Sequence, residues 1–578
     1  MLKYFHIYII AFFCTTYTTT GQNAYTCKFH ITDKSNLDKN LKVRNSFNTQ
    51  QEIKSELNNI LVSLRNAGYL LASCDSIVCD SISCHAEITA GEIFKWAFLK
   101  QGNADDDVLS YAGYREKFFS NATFSPIQIS RLFEKIISWY ENNGYPFAKV
   151  KFDSVNIQDD GIKAVLNVQK NKLIKIDSFI IIGKASISKN FLTHYLHIFQ
   201  GSDYNESNIS QISQKMKQLP FLKEQQPAIV RMTSSHTRLL LFLDKKNASQ
   251  FDGIIGLQPE PTGKTVLTGD VRLRLYNNVF KAGELIDLNW KRLQYQTQDL
   301  KFNFTYPYLF KTPVGTDYSL SIYRRDTTFI DIQNNIGLQY LFKGLNYIKV
   351  FYRQRNSNLL GTTSLQGLTA LPDYADVATY AYGVGFYYEK FDYRFNPRKG
   401  ILISGNGSAG NRIIRKNNNI NPLLYNHLQL QSEQYQAEGM VNWFIPLFKQ
   451  STIKMGAQGG TIMSPNLFKN EMFRIGGFKT IRGIDEQSIY ASSYGIGSFE
   501  YRFLFEMNSA FILFSDAAWY ENNSNSSYLK DIPYCVGAGF SFETKAGIFQ
   551  LNYALGSQFG SPLDFRTGKI NFGLVKAL

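Results

Sequence analysis

The sequence predicts two kinds of architecture in one chain: three α+β repeats, followed by an all-β transmembrane barrel of sixteen strands. Up to about residue 247, apolar residues recur at helical spacing in stripes that repeat along the chain. Beyond that point the helical period stops, and apolar and polar residues alternate, as in Leu300-Lys-Phe-Asn-Phe-Thr-Tyr306. Composition agrees: the 578 residues include 45 Phe and 35 Tyr, yet the mean hydropathy is slightly negative. Many aromatics without a long apolar run suit a membrane barrel, whose lipid-facing residues alternate with polar lumen residues.

The chain divides by pattern into 1–21, 22–91, 92–171, 172–248 and 249–578. The first segment reads as a secretory signal peptide. Lys3 precedes an apolar run from Tyr4 to Cys14, far shorter than the ~20 residues of a membrane helix, and cleavage is expected after Gly21. A lipid attachment at Cys14 is disfavoured by the bulky Phe12 and Phe13 before it. The net charge of +15 comes from scattered Lys and Arg in an exported chain, which argues against nucleic acid as a partner. Solvated lumen, loop and periplasmic faces account for it, and attraction to acidic lipid head groups is the sharper reading.

Export also sets the cysteine chemistry. Cys27, Cys74, Cys79 and Cys84 cluster near the mature N-terminus, and Cys535 stands alone. In an oxidising compartment the four are candidates for one or two disulfides, with three full pairings open. A zinc site at Cys79, Cys84 and His85 is the alternative, but the spacing fits no standard site, so no metal is expected.

The first helix begins at Thr49, with Glu52 three residues on completing a capping box. Its apolar stripe is Ile53, Leu57, Ile60, Leu61 and Leu64, and it stops at Gly68-Tyr69. The second begins at Ser125-Pro126, carries Ile129, Leu132, Phe133, Ile136 and Tyr140, and stops at Gly144-Tyr145. From Gly68 to Gly144 is a step of 76 (144 − 68), and another 76 reaches Pro220, behind a third stripe of Ile209, Ile212, Met216 and Leu219. After the second helix Ala148, Val150 and Phe152 alternate with polar residues. Asp160-Gly161 turns the chain, and Ile162, Ala164, Leu166 and Val168 return. Each unit is therefore strand, helix pair, hairpin.

In the back half, Val271, Leu273 and Leu275 alternate with Arg272 and Arg274, and Ile286, Leu288 and Trp290 with Asp287, Asn289 and Lys291. Arginines opposite a continuous apolar row cannot face lipid, so they face a lumen. The 330 residues from 249 to 578 (578 − 248), at roughly ten per strand and a similar allowance per connection, give about sixteen strands. An even number closes a bacterial barrel without a free edge.

No catalytic constellation emerges, and no enzyme activity is expected. Asn406-Gly-Ser-Ala-Gly410 lacks the first glycine of a nucleophile elbow and sits in a strand. His194 and His197 have no third metal ligand nearby in sequence. There is no phosphate loop and no dinucleotide fingerprint, so no cofactor is expected.

The repeats resemble POTRA (polypeptide-transport-associated) domains in their helix–Gly-Tyr–hairpin core; the third departs, with Pro220-Phe221 in place of Gly-Tyr. The back half resembles the outer-membrane assembly superfamily of BamA, TamA and the two-partner secretion transporters. Three segments carry the likeness: Tyr306-Pro-Tyr-Leu-Phe-Lys-Thr-Pro313, Asp392-Tyr-Arg-Phe-Asn-Pro-Arg-Lys-Gly400, and Ile481-Arg-Gly-Ile484 behind Gly476-Gly477. The departures are Ile484 for the usual aromatic, Ala518 for the usual glycine, and a final Leu578 rather than an aromatic residue.

The resemblance implies a TamA-like protein of the outer membrane of a Gram-negative bacterium, with its POTRA domains in the periplasm. It implies partners: the outer-membrane bilayer, unfolded client polypeptides and a TamB-like periplasmic bridge. It implies that the Arg-Gly tip folds back into the lumen, with Arg482 anchored by Glu500 and Asp516. It also implies a lateral seam between a first strand near Asp252–Leu257 and a last strand bearing Ile570, Phe572, Leu574 and Leu578. A dedicated secretion pore for one exoprotein is the alternative within the superfamily. A passive porin and an inert surface protein are the alternatives outside it.

Overall fold

The computed structural model describes residues 25–32, 43–80, 83–158, 161–259, 265–294, 297–361, 365, 368–393, 396–525, 527–544 and 547–575. The segment 1–21, expected to be a signal peptide, and Leu578 lie outside them. Two compact units form: Met1–Lys175 with Asp203–Ser207, and Ile176–Ser202 with Asn208–Leu578.

The first unit holds two α+β modules. The helix Gln50–Asn66 starts where its cap predicts: the Thr49 hydroxyl accepts the Glu52 N–H at 3.2 Å. The reciprocal bond shifts by one residue, because the Glu52 carboxylate takes the N–H of Asn48 at 3.1 Å rather than that of Thr49. Ile53, Ile60 and Leu64 are buried, and Leu57 and Leu61 pack partly against them. In its sheet, Tyr25–Thr32 runs parallel to Ser83–Thr89, which pairs antiparallel with Ser73–Cys79. The second module repeats this plan. Helix Pro126–Asn142 buries Ile129, Leu132, Ile136 and Tyr140 around a fully buried Trp96. Trp96–Lys100 runs parallel to Gly161–Gln169, which pairs antiparallel with Lys149–Gln158. Asp160 lies outside the described residues, but Gly161 has φ 114°, as the turn requires.

The second unit begins with a third module of the same order: Ser178–Ile182 parallel to Thr237–Lys245, and Thr237–Lys245 antiparallel to Leu222–Met232. Here the sequence expectation is corrected. The stripe through Ile209, Ile212, Met216 and Leu219 forms two short helices, Glu206–Ser210 and Ile212–Gln218, rather than one. Ser207, Asn208, Ser210 and Ser213 are weak helix formers whose side chains compete for hydrogen bonds; the Ser213 hydroxyl donates to Glu224 at 2.8 Å. The main helix of this module is the earlier Lys189–Leu196, which buries Phe191, Leu192, Tyr195 and Leu196.

From Gln250 onward one antiparallel sheet runs to Val575. The short strand Tyr528–Asp531 only extends the outer end of Ala510–Asn523, which pairs directly with Tyr534–Thr544. Sixteen strands therefore build the wall among the described residues, from Gln250–Pro259 to Lys569–Val575. These two end strands carry the segments expected at the seam, including the backbone of Ile570, Phe572 and Leu574. They come within 8 Å, Cα to Cα, without a backbone ladder between them among the described residues.

The wall is two-faced. Arg272 and Arg274 both pair with Asp287, at 2.8 and 3.2 Å, on one face. Leu338, Val350 and Val384 are register partners on successive strands and are all exposed on the other. Apolar residues left bare in a row across several strands give this face an apolar surface opposite the charged one.

Candidate functional site

The strands Ser451–Met463 and Ser493–Leu504 are neighbours in the wall, yet 29 residues (493 − 464) separate them in the chain. This loop carries a small ribbon, Phe473–Ile475 paired with Ile489–Ala491, and the Gly476–Ser488 turn hangs from it. Gly476 and Gly477 have φ of 110° and 93°. A Cβ at Gly476 would lie 2.3 Å from the Asp485 carbonyl oxygen, so the turn admits only glycine there.

The turn presses Ile481-Arg-Gly-Ile484 against the polar face of the wall. Arg482 Nε donates to Asp516 Oδ2 at 2.8 Å, Nη2 to Oδ1 at 2.5 Å, and Nη1 to Glu500 Oε1 at 2.9 Å. The Arg482 side chain is 8% exposed, against 5% for Glu500 and 1% for Asp516. A guanidinium taken out of water needs this many acceptors in fork geometry. Ile481 and Ile484 are buried with Ile496, Ile512 and Phe514, so the branched residue at 484 fills an apolar site.

The structure thus brings together Arg482, Glu500 and Asp516, and adds partners the sequence did not single out. Phe514 lies under the guanidinium, 3.7 Å from its carbon to the ring centre. Lys454 and Arg502 also bond Glu500, so three cations share two carboxylates. Cys535, buried in the next strand, donates its thiol to Asp516 at 3.3 Å. Gly483 meets Gly556 backbone to backbone: a Cβ on Gly483 would lie 2.7 Å from the Gly556 Cα. At the turn's end, Asp485 reaches Lys569 of the last wall strand at 2.8 Å.

A second anchor holds the same loop further out. Arg412, fully buried, forms a two-bond pair with Glu471 and also donates to the carbonyls of Pro465 and Asn466. Arg355 pairs with Asp331 and donates to the carbonyls of Glu471 and Asn470.

The other expected segments take structural roles. Tyr308 of Tyr306–Pro313 is 3% exposed, its carbonyl accepting from Asn190 at 3.0 Å and its ring stacked on His194. Asp392 closes its turn by accepting the N–H groups of Tyr393, Arg398 and Lys399 ahead of Gly400 at φ 134°. His197 ends its helix in the left-handed region and lies against Phe199, as does His194, so both histidines pack. Asn406–Gly410 lies within the strand Gly400–Arg415. Cys79 and Cys84 are joined as a disulfide, which removes both as zinc ligands, while Cys27 and Cys74 are thiols.

With fold and loop in place, comparison decides the family. The Omp85 superfamily domain matches residues 278–576. The chain belongs to the Omp85 superfamily. Among solved structures, the fold is similar to CdiB from Escherichia coli (13% identity, 92% of this chain and 98% of that one, TM-score 0.52). It is also similar to CdiB from Acinetobacter baumannii (12%, 83% and 88%, TM-score 0.51). BamA from Haemophilus ducreyi lacking POTRA domains 1-3 aligns at 14% identity over 83% of this chain and 98% of that one, with TM-score 0.43. No curated protein matches the sequence. In this Omp85 chain, the POTRA-like modules precede the wall and the Arg482 loop lies inside the matched region.

Proposed function

We propose that this Omp85 protein lies in the outer membrane of a Gram-negative bacterium, its three POTRA-like modules in the periplasm, and inserts or exports other polypeptides without nucleotide or cofactor. The observation that carries the reading is the loop latched to the polar face of the wall through Arg482, Glu500 and Asp516. A movable plug beside the last strand serves a channel that must open for a chain, and Asp485 ties the turn to Lys569 there.

Clients would be captured as added strands. Lys149–Gln158 and Leu222–Met232 are edge strands, and Val155, Ile157 and Ile229 stand exposed on them. Unpaired backbone beside bare apolar side chains is a template for an extended segment. The client would then leave through the seam between Gln250–Pro259 and Lys569–Val575, where its own backbone satisfies the open edges. Three modules ahead of the wall support a TamA-like arrangement, with a TamB-like protein as the periplasmic partner.

Depletion of the protein, followed by quantitative mass spectrometry of the outer membrane and the culture medium, tests this. Loss of several unrelated barrel proteins from the membrane means general insertion. An intact membrane with one large protein missing from the medium means a dedicated secretion pore. No change in either overturns the proposal.

A further inference from the structure

We propose that the third module and the first inter-hairpin turn of the wall together hold the headgroup of an anionic phospholipid. This rests on the reading of the wall as membrane-spanning.

A cavity of about 500 Å³ lies where the third module meets the wall. Three lysines line it: Lys245 and Lys246 from the end of the module's last strand, and Lys281 from the turn between Thr265–Tyr276 and Leu285–Gln294. Asn277, Asn278 and Ser249 supply neutral polar groups, and no carboxylate lines the cavity. The Lys281 ammonium donates to the Asn278 carbonyl at the rim, and a hollow lined by three lysines and no carboxylate favours an anion with several acceptor oxygens.

The turn is a built structure. The buried Glu284 carboxylate accepts the N–H groups of Val279, Phe280 and Ala282 at 2.8, 2.9 and 3.0 Å. The Asn277 side chain accepts from Gly283 N–H and donates to the Ser186 carbonyl, both at 2.9 Å. Ser188 N–H donates to the Lys281 carbonyl at 2.7 Å. Asn277, of a type that tolerates the left-handed region, has φ 48°, and Lys281, which enters it rarely, is held at φ 56°.

The turn's tip decides which anion. Val279 and Phe280, the large apolar residues of the turn, are 57% and 56% exposed. The Phe280 ring packs on Phe304 and Tyr306, at 6.4 and 5.6 Å between centroids, and so extends the lipid-facing row of the wall. An apolar wedge continuous with the lipid face, beside a cationic hollow, matches a phospholipid: acyl chains along the aromatic row, phosphate among the lysines. A free phosphate would need the lysines but not the wedge. The site adjoins the first wall strand, so the lipid would border the seam.

The test uses the full chain in detergent, with bound phosphatidylglycerol and phosphatidylcholine counted by native mass spectrometry. Heat-modifiable migration and insertion into phosphatidylcholine vesicles are read in parallel. The parent protein is expected to retain phosphatidylglycerol about tenfold over phosphatidylcholine. Lys245→Gln with Lys246→Gln and Lys281→Gln should abolish that preference, and the triple arginine variant should keep it. Val279→Ser with Phe280→Ser should weaken lipid retention without changing displacement by inorganic phosphate. Equal phosphatidylglycerol retention in the glutamine variant overturns the site. So does a serine variant that retains lipid normally while inorganic phosphate displaces it, which marks a free-phosphate site. A parent that does not insert into vesicles refutes the membrane-spanning reading instead, and the two failures are distinct.

Discussion

Arg482 meets Asp516 through a two-bond fork, Nε at 2.8 Å and Nη2 at 2.5 Å, across 34 residues of sequence. Asp516 is almost fully buried, so removing the guanidinium strands a carboxylate away from water. Such a loss costs about 3–5 kcal/mol. Glu500 suffers less, since Lys454 and Arg502 still bond it. Arg482→Ala should therefore release the loop while the wall still forms. Heat-modifiable migration should be normal, proteolysis between residues 476 and 488 should accelerate, and client handling should fail. Arg482→Lys keeps the charge but not the fork, and should be intermediate. Normal client handling by the alanine variant, at normal protein level, removes the loop from the mechanism.

The backbone contact between Gly483 and Gly556 makes a second, steric prediction. A Cβ on Gly556 would lie 2.2 Å from the Gly483 oxygen, and neither neighbour is a flexible side-chain end. Gly556→Ala and Gly483→Ala should each weaken loop docking by about 1–3 kcal/mol, read as faster proteolysis of the turn. Gly497→Ala is the control, because nothing lies within 4 Å of its Cβ position. Equal behaviour of all three variants would show that the close approach carries no weight.

What the sequence made legible, and what it did not, divides along chain distance. The helix Gln50–Asn66 follows from its Thr49 cap and its period, and Pro126–Asn142 from its leading proline and its period, since Ser125 makes no side-chain cap bond. Arg482, Glu500 and Asp516 were found through motif resemblance, which stores a long-range contact in short words. Lys454 and Arg502 carry no motif, and only strand register places them beside Glu500. Arg412 and Glu471, 59 residues apart, carry no local signature at all. The third stripe differs: its apolar spacing is helical, yet the helix is interrupted at Gln211, between Glu206–Ser210 and Ile212–Gln218. The aromatic Tyr308 was marked by its motif, yet its burial depends on a helix 112 residues earlier (308 − 196).

The disulfide Cys79–Cys84 closes a loop of 5 residues in the first module. The chain-entropy gain for so short a loop is about 2 kcal/mol at most. Replacing both by serine should lower the melting of that module by a few degrees and leave heat-modifiable migration of the wall unchanged. A collapse of wall assembly in this variant would reveal a role for the bridge beyond local stability.

The unjoined ends of the wall make a fourth prediction. Cysteine pairs scanned between residues 252–257 and 570–574 should include one that cross-links under oxidation, since the two strands come within 8 Å. The locked protein should lose client handling, and reduction should restore it. A locked protein with full activity sinks the lateral seam.

Acid should loosen the junction between third module and wall, from two groups acting in the same direction. Burial pushes the His194 imidazole below its ordinary value of 6.5, outweighing its bond to the Lys311 backbone, and His197 adds to the depression. An unfolded or undocked His194 therefore binds a proton more readily than the docked one. Its contribution is complete above pH 6.5 and is lost as pH falls through the lowered value. Burial alone would raise the Glu284 carboxyl, but the backbone N–H groups of Ala282, Glu284, Phe280 and Val279 together hold it below its ordinary 4.5. That contribution is complete above pH 4.5 and is lost as pH falls through the depressed value, so it fails at lower pH than the histidine's. Hydrogen exchange at Tyr308 and Gly283, followed from pH 7.5 to 4, should show two successive rises in opening after correction for intrinsic rates. His194→Phe keeps a ring against Tyr308 without a titrating group, and should erase the first rise while leaving the second. An unchanged first rise in that variant would assign the acid sensitivity to other groups.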